Sequence, residues 1–193
     1  MNDFQNLKLQ EEKLKNGIEN LGIKGNILDA LDLAKKAHKE QRRDEGDPYI
    51  IHPIRIANML MYDLGVRSAD MVVAGLLHDV VEDTNVTLEE IEEKFGKKVA
   101  DIILSLTRDK EKETKKEKFD KILKGQQEIK LLKACDWLDN LRSFIYRTDR
   151  GERWDRHLQE AKEMYIPLAR ATENKWLITE MEKAYDEVLR LQK

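Results

Sequence analysis

The chain has 193 residues, of which 40% are hydrophobic and 38% charged, with only 9 glycines and 3 prolines. This suits one domain with a charged surface and a helical rather than sheet interior, and leaves no room for a second catalytic domain. A net charge of -3 argues against nucleic acid or a membrane as partner, and the single cysteine, Cys135, excludes an internal disulfide or a cysteine-rich zinc site.

In chain order, residues 3–20 are polar and rich in Lys and Glu, with scattered leucines, and predict a peripheral helix dispensable for chemistry; Gly22 and Gly25 break it. The opening ten residues lack the apolar stretch of a signal peptide, and no later run is long enough to span a bilayer, so a soluble cytoplasmic protein is expected. From Ile27 the spacing of Leu31, Ala34 and Ala37 predicts a helix, ended by a charged loop from Arg42 to Pro48. Pro53 fits the first turn of the next helix, a short one carrying Ile56, Leu60 and Leu64 on one face as far as Gly65. Ser68 can cap a helix whose Met71, Val72, Val73, Ala74, Leu76, Leu77, Val80 and Val81 leave almost no polar face, which places it at the centre of the core. Thr87 and Glu90 form a capping box for a helix ending at Gly96, and another helix follows over about 97–106.

Arg108 to Lys124, with few apolar residues and many lysines, reads as either a mobile loop or a solvated helix. Helical periodicity resumes through Leu132, Cys135, Leu138 and Leu141, and two amphipathic helices, Trp154 to Leu168 and Trp176 to Leu191, close the chain. The expectation is an all-α, single-domain helical bundle with residues 1–24 as a peripheral N-terminal helix and 25–193 as the catalytic domain. The three tryptophans, Trp137, Trp154 and Trp176, are expected to pack, and His38 and His157 to serve structure or loop contacts.

Chemistry concentrates in Leu77-His78-Asp79-Val80-Val81-Glu82-Asp83-Thr84, four ionisable groups at the end of an apolar helix. A carboxylate there loses several kcal/mol of hydration and needs a cation or a metal. If the helix continues, His78 lies over Glu82 and Asp79 over Asp83. A His-Asp dipeptide alone is most simply a hydrogen-bonded pair at a helix end. Two further segments weaken that reading: Tyr49-Ile50-Ile51-His52-Pro53 and Lys133-Ala134-Cys135-Asp136-Trp137-Leu138-Asp139-Asn140-Leu141-Arg142. Two His and two Asp without a thiolate suit a catalytic divalent ion such as Mn, Fe, Zn or Mg with open positions for water.

This H…HD…D pattern resembles the metal signature of HD-domain phosphohydrolases. Arg43 with Gly46-Asp47-Pro48-Tyr49-Ile50-Ile51-His52-Pro53, then Leu76 to Thr84, then Phe95-Gly96 and Val99 resemble the hydrolase domain of RelA/SpoT-type proteins. The absence of a following synthetase domain, together with Gly151-Glu152-Arg153-Trp154 and His157, is similar to the stand-alone small alarmone hydrolases, which remove the 3′-pyrophosphate of ppGpp. By that resemblance His52, His78, Asp79 and Asp136 are the metal ligands, the ion is Mn(II), and Glu82 and Asp83 handle the water and the leaving group. It also implies that Asn140, four residues after Asp136, reads guanine or ribose and that Arg43 stacks on the base. The second diphosphate needs cations of its own, for which Lys115, Lys116 and Lys118 are the candidates.

Two departures stand out. The family usually has Lys or Ser near the position of Asp44-Glu45, and Leu-Ala-Asp-Arg/Lys where this chain has Ala134-Cys135-Asp136-Trp137. Acids beside Arg43 weaken anion binding there, so the competing readings are an HD phosphohydrolase acting on another nucleotide or phosphorylated cofactor, and a non-catalytic nucleotide-binding domain stapled by its metal. The acids Glu82 and Asp83 argue against the second, since a structural site has no use for them.

Overall fold

The structure, a computed structural model, describes residues 3–23, 25–147 and 151–191. Among these residues it is all-α, the only β-type pairing being an isolated bridge between Arg42 and Pro48. No helix among them is long and apolar enough to cross a membrane. The backbone divides into two compact units, Met1–Lys112 and Glu113–Lys193.

In the first unit α1 (Leu7–Asn20) starts at Asn6, whose side chain accepts from the amide of Leu9. It is followed by α2 (Ile27–Ala37), α3 (Ile51–Asn58), α4 (Ala69–Leu77), α5 (Val80–Asp83), α6 (Leu88–Phe95) and α7 (Lys97–Leu106). Every residue from Met71 to Leu77 is buried, and α4 packs against α2, α3 and α7, the central position that its lack of a polar face requires. Gly75 permits the approach of α3 to α4: a Cβ there would stand 3.0 Å from Leu60 Cδ1 and 3.5 Å from Ile56 Cγ2.

The expected caps form. The Ser68 hydroxyl accepts from Met71 N, and Thr87 and Glu90 make both bonds of a capping box. Gly96, at φ 88°, is the joint between α6 and α7, a conformation that costs a residue with a Cβ more than glycine. Pro53 lies in the first turn of α3, as expected, and the helix gives way to a π turn over Met59–Asp63 before Gly65. The opening helix is docked rather than loose. Asn58 of α3 donates to the carbonyl of Gln10 at 3.0 Å, and the Arg55 guanidinium lies 3.8 Å from the ring centroid of Phe4.

The second unit holds α8 (Lys115–Leu123), α9 (Gln127–Phe144), α10 (Glu152–Glu160), α11 (Ile166–Ala171) and α12 (Lys175–Leu191). The lysine-rich stretch resolves into a turn followed by α8, which has its own capping box, Thr114 with Glu117, and buries Phe119 and Ile122. The helix expected from Trp154 to Leu168 is interrupted by a π turn over Ala161–Tyr165. Pro167 supplies the reason: it has no N–H to return to the carbonyl one turn back, so the ladder changes register just before it. Helix α9 packs against α8, α11 and α12. Trp137 stacks on Tyr165 at 4.4 Å, Trp154 meets Phe144 at 4.5 Å, and Trp176 lies beneath the Arg142 guanidinium.

Candidate metal centre

Helix α3 contributes His52, and the break between α4 and α5 contributes His78 and Asp79. One ligand atom from each of the three lies within 4.8 Å of the others, the two imidazoles being buried and Asp79 half-buried. The rings of His52 and His78 meet edge to face at 5.2 Å. His78 Nδ1 faces the carbonyl of Gly75 at 3.0 Å; a carbonyl can only accept, so this nitrogen carries hydrogen, and in the neutral ring Nε2 keeps its lone pair. That lone pair lies 2.9 Å from Asp79 Oδ2, with His52 Nε2 at 3.7 Å from the same oxygen. Electron-rich atoms converging in a buried space require a proton or a cation among them, and nitrogen and oxygen donors without sulfur fit a divalent metal.

Tyr49 completes this centre, although sequence reasoning gave it no role. Its hydroxyl donates to Asp79 Oδ2 at 2.5 Å, fixing the carboxylate from outside. The signal was its place three residues before His52, in the segment that carries the family resemblance.

The acids Glu82 and Asp83 sit in α5, one turn beyond the ligands. The helix is not continuous through this region: α4 ends at Leu77 and α5 resumes at Val80, yet the amide of Asp83 still bonds the carbonyl of Asp79 at 2.9 Å, so the expected stacking of 79 under 83 survives the break. Glu82 Oε2 accepts from the amide of Arg108 at 2.9 Å, which holds the carboxylate in one orientation. Lys110 stands 3.0 Å from Asp83 Oδ1 and 3.4 Å from Glu82 Oε1, and its ammonium is held above the ordinary lysine range chiefly by the bond to Asp83. Composition alone does not distinguish Lys110 from its solvated neighbours.

Arg43 lies in the loop ahead of α3, its guanidinium 5.8 Å from the Tyr49 ring centroid. Its Nε is 3.3 Å from Glu45, and both side chains are largely buried. One of the two departures from the family pattern is therefore bound to the arginine that the resemblance assigns to the base.

In the second unit Asp136 is 3% exposed and accepts from Asn140 Nδ2 at 2.7 Å, as their spacing on one face of α9 predicts. Its other oxygen is 2.8 Å from Lys133. The three candidate phosphate lysines each face an acid of their own unit: Lys115 meets Glu160 at 2.5 Å, Lys116 pairs with Asp120, and Lys118 lies 3.8 Å from Glu113. Tyr165, beside Lys115, is pushed well above its ordinary pKa by burial, reinforced by the charges of Glu160 and Asp136. His157 stacks on Phe144 at 4.1 Å, a packing role as expected.

Comparison with known proteins follows the same lines. Residues 30–173 match the model of the HD domain family and so extend through both compact units. A guanosine-3′,5′-bis(diphosphate) 3′-pyrophosphohydrolase of Aquifex aeolicus is 37% identical over 150 residues, 74% of this chain but only 21% of that protein. The mouse enzyme of the same name, MESH1, is 38% identical over 136 residues, covering 68% of this chain and 75% of its own length. A solved structure described as a metazoan ortholog of SpoT that hydrolyzes ppGpp superimposes with a TM-score of 0.76 at 28% identity, covering 88% of this chain and 98% of that one. With a buried His-His-Asp centre, an acid pair one turn on and a family match over most of its length, the chain belongs to the HD-domain family.

Proposed function

We propose that this chain is a metal-dependent phosphohydrolase that cleaves the 3′-pyrophosphate from guanosine 3′,5′-bis(diphosphate), giving GDP and pyrophosphate. The observation that carries this reading is the convergence of His52, His78 and Asp79 beside the acid turn of Glu82 and Asp83, in a chain 38% identical to a relative named for this reaction. Asp136 is the fourth ligand on this reading, supported by the sequence pattern and by its burial, and residues 25–193 form the catalytic domain with the first 24 peripheral to it. Manganese(II) is the proposed ion and the cytoplasm the proposed location. A divalent ion held by these residues supplies positive charge to the phosphoryl oxygens and strengthens water as a nucleophile.

The chain's own groups do the rest. Water gives up a proton as it adds to the phosphorus next to the ribose, the bond to the ribose 3′-oxygen breaks, and that oxygen takes up a proton. Glu82 and Asp83 serve as the acceptor and donor of these two protons; Glu82, locked by the Arg108 amide, is a fixed group for orienting the water. Lys110, already between the two acids, is a further cation to meet incoming phosphate, beside the candidates Lys115, Lys116 and Lys118. Arg43 and Asn140 hold the base and ribose.

The test is product analysis on ppGpp, GTP, NADPH and cyclic dinucleotides with added Mn(II). Pyrophosphate and GDP from ppGpp, lost on chelation, are expected. Turnover of another member of the panel with none of ppGpp would favour an HD phosphohydrolase of different substrate, the reading to which Glu45 on Arg43 lends weight.

A further inference from the structure

His38, at the end of α2, is 2% exposed and takes no part in the metal centre described above. Its Nδ1 is 2.7 Å from Gln41 Oε1, while Gln41 Nε2 donates to the backbone carbonyl of Asp83 at 2.7 Å. The order of these bonds is determined at both ends. The Asp83 carbonyl can only accept, so the amide nitrogen of Gln41 faces it; the amide oxygen then faces the imidazole, which must donate through Nδ1. Among the described residues His38 Nε2 is buried with no hydrogen-bond partner, so the polar bond that these residues give the ring is the one that orients Gln41. A second arm leaves the same place. The Gln41 carbonyl accepts from the amide of Tyr49 at 3.1 Å, the His38 ring packs on the Tyr49 ring at 4.6 Å, and the Tyr49 hydroxyl reaches Asp79.

We propose that His38 and Gln41 are positioning residues for hydrolysis: the imidazole orients the Gln41 amide, the amide holds the peptide of Asp83, and the packed Tyr49 ring holds Asp79. Both ends of the acid turn are thereby tied to one pair, a buried imidazole and a half-buried amide. A solvated backbone carbonyl at Asp83 would leave the turn free to tilt its carboxylates away from the ligands. A side-chain amide from a half-buried loop residue whose far end is held by the buried His38 restricts it more than water can. This inference rests on the hydrolase reading for its kinetic readout but not for its structural one.

The experiment compares His38→Ala, His38→Asn, Gln41→Met and Gln41→Glu with the wild type. Asparagine retains a donor where Nδ1 stands; glutamate keeps the acceptor for His38 but sets an oxygen against the Asp83 carbonyl. Amide hydrogen exchange of the segment containing Asp83 and Thr84 is measured first, in chelator, and should quicken in His38→Ala, Gln41→Met and Gln41→Glu while other helices of the unit keep wild-type protection. On ppGpp with Mn(II), kcat should fall about 10–100-fold in those three variants with KM within about threefold, as expected for supporting groups around a site. His38→Asn should recover most of both signals. If wild-type protein does not turn over ppGpp, the functional reading fails and the exchange data still decide the positioning role. Unchanged exchange in folded Gln41→Met, or protection lost throughout the unit with no recovery in His38→Asn, would overturn the proposal.

Discussion

The Tyr49 hydroxyl and the Asp79 carboxylate are joined at 2.5 Å through the same oxygen, Oδ2, that both imidazoles of the centre face. The phenol withdraws charge from that oxygen and fixes its direction. Tyr49→Phe keeps the ring and its packing on His38 while deleting the donor, so Mn(II) affinity should change by about 10–100-fold with little loss of thermal stability. Metal titration followed by electron paramagnetic resonance measures this directly; an affinity equal to wild type would remove the hydroxyl from the support of the site.

Asp79→Ala and His78→Ala should abolish stoichiometric metal binding, because either change breaks a three-atom cluster buried in the first unit. Elemental analysis after dialysis reads the outcome. In the wild type, activity should vanish in excess chelator and return best with Mn(II). Full turnover in protein shown to be metal-free would contradict the centre as described.

Glu82→Gln and Asp83→Asn preserve shape while removing proton transfer. Each should lower kcat by about 10²–10⁴-fold with metal content retained. Wild-type turnover in both would end the assignment of these acids to proton transfer.

Lys110→Ala frees both acids from their common cation. If Lys110 meets phosphate, KM should rise by about tenfold or more, and the salt dependence of KM should become shallower. An unaltered KM with a lowered melting temperature would instead mark Lys110 as a clasp for the acid turn alone.

Burial holds His38 below its ordinary pKa of 6.5, opposed in part by the Gln41 bond and the charges of Asp79 and Asp83 and reinforced by His78. The unfolded chain restores the ordinary value, so below about pH 6.5 it binds a proton that the native state refuses. The stability due to neutral His38 is thus complete above that pH and is lost as pH falls towards the native value. Chemical denaturation in chelator should show the advantage of wild type over His38→Asn shrinking from about pH 7.5 to about pH 5.5. An advantage that grows on acidification would reverse the sign and refute the argument.

Much of the site is legible in the chain because local chemistry determines it. An apolar run from Met71 to Leu77 has only one place to go, and Ser68, Thr87 and Gly96 mark their helix ends by caps and backbone conformation that few other residues provide. Asn140 reaches Asp136 because four residues make one turn of α9. What sequence reading misses depends on contacts distant in sequence. Lys110 is one lysine among many until the fold brings it to Asp83, and Gln41 is an ordinary polar residue until its amide meets a carbonyl 42 positions away. The two π turns escape helical periodicity, since one extra residue in a turn barely alters which positions are apolar.

Gly75 joins two of these matters. Its carbonyl sets the tautomer of His78, and its missing side chain sets the distance between the helices that carry His52 and His78. The close approach of the helices that carry the two imidazoles therefore uses a methyl group that is absent. A lineage could retune which ionic radius the centre prefers by changing a residue that never touches the ion, leaving every ligand in place.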